Sequence, residues 1–147
     1  MSVAVVDAST VVAALLDSGP EGRWAEDQII SHDLAGPHLV LVEASNILRR
    51  AALAEDIGEA EATLAHGDLL GLDLELFPFE PFGARVWELR QNLTAYDAWY
   101  VAVAEGLDCS LLTLDGHLAR APGVKCPVRL PTGCPNLWKS LSVTFVG

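Results

Sequence analysis

Two short, largely apolar runs each lead into an aspartate: Val3-Ala4-Val5-Val6 before Asp7, and Leu111-Leu112-Thr113-Leu114 before Asp115. A run with no polar alternation predicts a strand buried on both faces, and such strands belong to parallel sheets covered by helices. Between and around these runs the chain alternates. Asp7-Ala8-Ser9 opens a helical pattern through Leu16, with Ser9 as its expected N-cap, and Ser18-Gly19-Pro20 breaks it. An amphipathic helix is expected over Glu21 to Ser31, a short strand at Pro37-His38-Leu39, then a helix to about Leu53. Glu55 to Leu70 reads as helix stopped by Gly71, and Leu72 to Phe79 as a strand near a sheet edge. Helices over Phe82 to Gln91 and Thr94 to Glu105, a strand over Ser110 to Leu114, a short helix at Leu118 to Ala121 and a strand at Val128 to Leu130 complete the order. The fold class is therefore α/β, a three-layer α/β/α arrangement with a central parallel sheet covered by helices on both faces.

At 147 residues the chain fits one domain, with 1–130 as the folded unit and 131–147 as an extension that breaks the pattern with Pro131, Gly133 and Pro135. No apolar run approaches the roughly 20 residues that span a bilayer, so no membrane role is expected. The opening Met1-Ser2-Val3 has no basic segment, which reads as a cytoplasmic protein. Three cysteines without a C-x-x-C pair argue against a disulfide scaffold and against zinc. The net charge of −11 argues against a protein that coats nucleic acid, though not against a nuclease whose site supplies its own positive charge.

In open α/β sheets, sites form beyond the carboxyl ends of the strands. Asp7 and Asp115 both fall on that edge. Glu43 and Asp97 arrive on helices, and the helical neighbours of Glu43 (Leu39, Val40, Ile47) are apolar, with Asn46 as its expected polar partner. Each acid has a local explanation as well: a helix cap for Asp7, a surface place for Glu43, a capping box Thr94-x-x-Asp97, and a turn at Asp115-Gly116. Yet carboxylates about 4 Å apart repel by roughly 4 kcal/mol per pair at an effective dielectric near 20. A hard cation such as Mg²⁺, or Mn²⁺ in its place, removes that repulsion and suits oxygen ligands. The set of four points to metal-dependent hydrolysis, with a phosphodiester as a fitting substrate.

Four segments in order carry a family resemblance: Val5-Val6-Asp7-Ala8-Ser9, Val42-Glu43-Ala44-Ser45-Asn46-Ile47-Leu48, Thr94-Ala95-Tyr96-Asp97-Ala98-Trp99-Tyr100, and Leu112-Thr113-Leu114-Asp115. Together they resemble the PIN-domain ribonucleases, and most closely the VapC toxins of toxin–antitoxin pairs, over about Val3 to Leu130. The resemblance implies a PIN-like fold and a Mg²⁺-dependent endoribonuclease in which Asp7, Glu43, Asp97 and Asp115 form the site. Asp7 and Asp97 would most directly hold metal, while Glu43 or Asp115 helps to orient or deprotonate the attacking water. Ser9 and Thr113 would hydrogen-bond the carboxylates or a water. It further implies an RNA substrate, a homodimer and a VapB-type antitoxin. Leu114 and Gly116 depart from the family pattern around the last acid, and the 131–147 tail exceeds its usual end. The bases available to RNA are Arg49, Arg50, Arg85, Arg90, Arg120, Lys125 and Arg129, and Trp99 or Tyr100 would stack on a base or pack in the core.

Three other readings compete. A haloacid-dehalogenase-type phosphatase needs an acid where Ser9 stands. A receiver domain needs an acidic pair before its first helix. A catalytically silent PIN-fold binding module would keep the fold without the chemistry.

Overall fold

A computed structural model describes residues 1–132. The expectations for Cys134, Trp138 and the apolar stretch 141–146 lie outside the described residues. Five parallel strands form one sheet in the order β3-β2-β1-β4-β5. They are β1 (Val3–Val6), β2 (Asp33–Pro37), β3 (Leu74–Phe77), β4 (Ser110–Leu112) and β5 (Val128–Arg129). Side chains of successive strand residues point to opposite faces. Val5 and Val6 are both 0% exposed, so helices cover the sheet on both sides at its centre.

The helices are α1 (Ala8–Leu16), α2 (Pro20–Ser31), α3 (Leu39–Leu53), α4 (Glu59–Leu70), α5 (Gly83–Glu88), α6 (Ala95–Gly106) and α7 (Gly116–Arg120), with one 3₁₀ turn at Glu80–Phe82. The core joins both faces of the sheet through Val5, Val11, Val40, Leu69, Tyr100, Val101 and Leu111. Between α1 and α2 the chain doubles back so tightly that a Cβ at Gly22 would stand 1.8 Å from the Asp17 carbonyl oxygen. Only glycine fits that elbow.

Several boundaries differ from the sequence reading. Asp7, not Ser9, is the N-cap of α1: its side chain accepts from the Thr10 N–H, and Ser9 already lies inside the helix. Strand β2 precedes the expected Pro37-His38-Leu39 and uses Asp-Leu-Ala-Gly-Pro instead, a segment of low strand propensity. Its pairing with β1 and β3 on either side overrides that propensity. Helix α4 starts at Glu59, four residues after the expected Glu55, which takes a left-handed φ of 62° in the turn after α3. Residues 80–82 split off from α5 as the 3₁₀ turn, and α6 runs through Gly106 to a cap at Leu107.

Candidate active site

Strand β1 lies between β2 and β4, so the residue that leaves its carboxyl end emerges at the middle of that sheet edge. That residue is Asp7, 7% exposed. Its Oδ1 accepts from the Ser9 hydroxyl at 2.7 Å and from the Thr10 N–H at 3.0 Å, and its Oδ2 accepts from the Thr113 hydroxyl. The two hydroxyls are themselves tied down. Ser9 Oγ accepts from the Leu114 N–H at 3.3 Å, and Thr113 Oγ1 from the Asp115 N–H at 2.9 Å. Thr10 closes the seam by donating to the Leu112 carbonyl at 3.1 Å. The carboxyl end of β1 and the segment after β4 are thus stitched together around one carboxylate. Burial raises the pKa of Asp7 even though the hydrogen bonds from Thr113, Ser9 and Thr10 pull it back.

The other three acids reach the same place on helices. Asp115 is the N-cap of α7 and accepts from the His117 N–H at 2.9 Å. Asp97 stands in the first turn of α6, where Thr94 Oγ1 accepts its N–H at 3.3 Å, so half of the expected capping box forms. Glu43 projects from α3 and accepts a 2.7 Å hydrogen bond from the Tyr100 hydroxyl on α6. Asn46, expected as its partner, is partly buried further along α3, and the bond that Glu43 does accept comes from Tyr100. Asp7, Glu43, Asp97 and Asp115 line one narrow cleft with Ala8 and Tyr100. The local explanations of the acids and their convergence hold together: Asp7 and Asp115 cap helices and face the cleft at once.

The cleft is electrostatically loaded. Burial pushes Glu43 up to about 7, with Asp7 and Asp97 adding repulsion and Tyr100 opposing the shift. Burial, then Asp115 and Asp7, push Asp97 up to about 6, and His117 partly offsets them. Each carboxylate raises the cost of ionising its neighbours.

The PIN domain family profile matches residues 4–124. Ribonuclease VapC1 of Mycobacterium tuberculosis is 40% identical over 131 residues, covering 88% of this chain and 98% of that protein. This chain belongs to the VapC family of PIN-domain ribonucleases. The crystal structure of PAE2754 from Pyrobaculum aerophilum superposes with a TM-score of 0.63 at 26% identity, covering 96% of this chain and 90% of that one. The crystal structure of VapBC2 from Rickettsia felis, bound to a DNA fragment from their promoter, shares the fold at a TM-score of 0.58 and 15% identity, covering 87% of this chain and 98% of that one.

In this VapC chain, among the described residues, no three His, Cys, Asp or Glu side chains gather tightly enough to enclose an ion. The donor set nonetheless fits Mg²⁺, which keeps several waters and is held through one or two carboxylates rather than a full protein cage. An all-oxygen, like-charged lining is what such a hard cation stabilises.

Among the bases available to RNA, Arg85 and Arg90 are engaged within the fold. Arg85 donates from Nε to Glu105 at 2.7 Å, from Nη1 to Glu88 at 3.1 Å and from Nη2 to the Gly123 carbonyl at 2.6 Å. Arg90 lies 4.6 Å over the Trp87 ring and donates to that residue's carbonyl. Arg49 lines a separate cleft between α3 and α4. Arg120 belongs to α7 beside Asp115, with its guanidinium against Gly116. Trp99 packs edge-on against Phe79 at 5.3 Å. Tyr100 is in the core apart from its hydroxyl, a role in the cleft that the sequence reading missed. The available signal was a phenol three residues after Asp97, on the same helical face.

Proposed function

We propose that this chain is a Mg²⁺-dependent endoribonuclease, the toxin of a toxin–antitoxin pair, held inactive by a cognate VapB-type antitoxin. The observation that carries the chemistry is the convergence of Asp7, Glu43, Asp97 and Asp115, from four separate segments, on one cleft at the carboxyl edge of the sheet. A divalent cation bound there, Mg²⁺ or Mn²⁺, supplies positive charge to the phosphodiester and acidifies water.

The residues divide the work by how they are held. Asp7 is fixed by three hydrogen bonds and, with Asp97 facing it across the cleft, is the anchoring ligand. Glu43, with a pKa of about 7, is suited to take the proton from the attacking water as its oxygen joins phosphorus and the ester P–O bond breaks. Glu43 and Asp115 complete the shell. Ser9 and Thr113 hold the Asp7 carboxylate in its orientation, as supporting groups around metal ligands do. His117 and Arg120 follow Asp115 on α7 and are the bases assigned to the RNA backbone.

The nuclease is assigned to residues 1–130, with 131–147 as an extension. The VapBC2 neighbour supports an antitoxin partner, and exposed Ile30, Val42, Leu53, Leu64 and Leu70 on α2, α3 and α4 support a homodimer. No helix among the described residues is long and apolar enough to cross a membrane.

Cleavage of a structured RNA by the purified protein in Mg²⁺, and its loss in EDTA and in Asp97→Asn, is the expected result. Full activity in EDTA would overturn the metal-dependent reading. Growth arrest on expression, relieved by a VapB-type protein encoded beside it, tests the toxin assignment, and light scattering tests the dimer.

A further inference from the structure

The cleft contains one uncharged polar group that the proposed chemistry leaves unused, the phenol of Tyr100. Tyr100 lies three residues after Asp97 on α6, so one helical face delivers both side chains to the cleft. The residue is 2% exposed and belongs to the main core cluster. A ring packed that closely has its two side-chain torsions fixed by its neighbours. Its hydroxyl is therefore a rigid point, and it donates to Glu43 Oε1 on the opposite helix at 2.7 Å. Burial, followed by the charges of Glu43, Asp7 and Asp97, holds the phenol well above its ordinary pKa. In its bond to Glu43 the hydroxyl is the donor.

Glu43 needs such a point. It is a longer, half-buried side chain with three torsions, and the nearby charges of Asp7 and Asp97 disfavour its ionised form. Asp7, by contrast, is clamped by its own strand-end neighbours Ser9, Thr10 and Thr113. Nothing in the sequence around Glu43 supplies an equivalent local clamp, and the bond that holds it crosses from α6.

We propose that Tyr100 is the positioning residue for Glu43: its hydroxyl holds Oε1 and so presents Oε2 to the cleft for water and cation. The inference rests on reading the cleft as a cation-dependent nuclease site. Tyr100→Phe keeps the ring and its packing and removes only the hydroxyl.

The test uses the full chain as wild type, Y100F, E43Q and the double variant. Mn²⁺ affinity is read by electron paramagnetic resonance, cleavage by kcat and KM on one RNA, and folding by melting in EDTA. Y100F is expected to lose about 10- to 100-fold in Mn²⁺ affinity and kcat, the range for groups that orient metal ligands, with KM for RNA unchanged. In the E43Q background the same change should cost no further Mn²⁺ affinity, because the carboxylate it orients is already gone. Two results would overturn the inference: wild-type Mn²⁺ binding and kcat in Y100F while E43Q is impaired, or an equal loss with and without E43Q. Wild-type behaviour of E43Q itself would instead overturn the reading of the site. A general loss of stability in Y100F would appear in both backgrounds and in EDTA, and so counts with the second overturning result.

Discussion

The two edges of the central sheet are both rich in acid, and only one of them gathers its acids, buried or half-buried, around one cleft. At the carboxyl edge, Asp7, Glu43, Asp97 and Asp115 come from strand ends and helices and are buried or half-buried around one cleft. At the amino edge, Asp33, Asp73 and Glu75 surround an open depression with Met1 and His32, but all three are exposed. Asp33 has the N-terminal ammonium 3.9 Å away, and both groups are more than half exposed. The difference teaches that the number of acids matters less than their desolvation and mutual aim. Water screens the second group, whereas the first keeps its repulsion until a cation relieves it.

The sharpest way to break this comparison is one matched substitution on each edge. Asp7→Asn keeps a side chain able to cap α1, so folding is retained, while RNA cleavage should fall by about 10²–10³-fold or more. Asp33→Asn should leave cleavage unchanged in the same assay. Equal effects from the two would erase the distinction.

Acidity gives the next largest effect. Glu43 at about 7 and Asp97 at about 6 must both be ionised to hold a cation. Mn²⁺ affinity should therefore fall as pH drops below 7, by about tenfold per pH unit for each proton taken up. A titration series between pH 8 and pH 5.5 reads this directly, and a flat profile would contradict it.

A smaller effect is on stability without metal, and its sign is opposite to that of a salt-bridged acid. On unfolding, Glu43 returns from about 7 to its ordinary 4.5, and Asp97 from about 6 to 3.8. Between those limits the folded state holds protons that the unfolded state has released, so stability declines as pH rises through the window. Glu43→Gln should raise the melting temperature in EDTA at pH 8 by about 3 °C, after allowing for solvent screening of a partly exposed group. Asp73→Asn, on the screened edge, should not. The smallest effect belongs to Asp33→Ala, which removes the pair with the N-terminus and should change stability by less than about 0.5 kcal/mol in denaturant unfolding.

Much of this asymmetry was legible in the chain. The apolar run Val3 to Val6 is β1 as read, and its lack of alternation correctly implied helices on both sides. The acids were found because each follows or interrupts apolar sequence, and all four line the cleft. β2 was misplaced because Gly36 and Pro37 carry turn signals, while its pairing partners lie at β1 and β3, far away in sequence. By local pattern Ser9 reads as the cap, because a serine before a helical run is a common start. The strand here ends so close to the helix that Asp7 serves both elements. The Tyr100 contact was beyond reach for a similar reason. Tyr100 and Glu43 are 57 residues apart, and local pattern says which face a side chain leaves by, not what meets it there.

The seam between β1 and the segment after β4 also sets an order of events during synthesis. The hydroxyl of Thr113 reaches Asp7 across 106 residues of sequence, and the single Leu112 carbonyl accepts from both the Asp7 N–H and the Thr10 hydroxyl. A growing chain that lacks this segment has made Asp7, Glu43 and Asp97 but can hold the first of them only through Ser9 and Thr10. The full clamp on Asp7 thus forms only once the segment after β4 has been made and folded back onto β1, so the cleft is among the last parts of the domain to close.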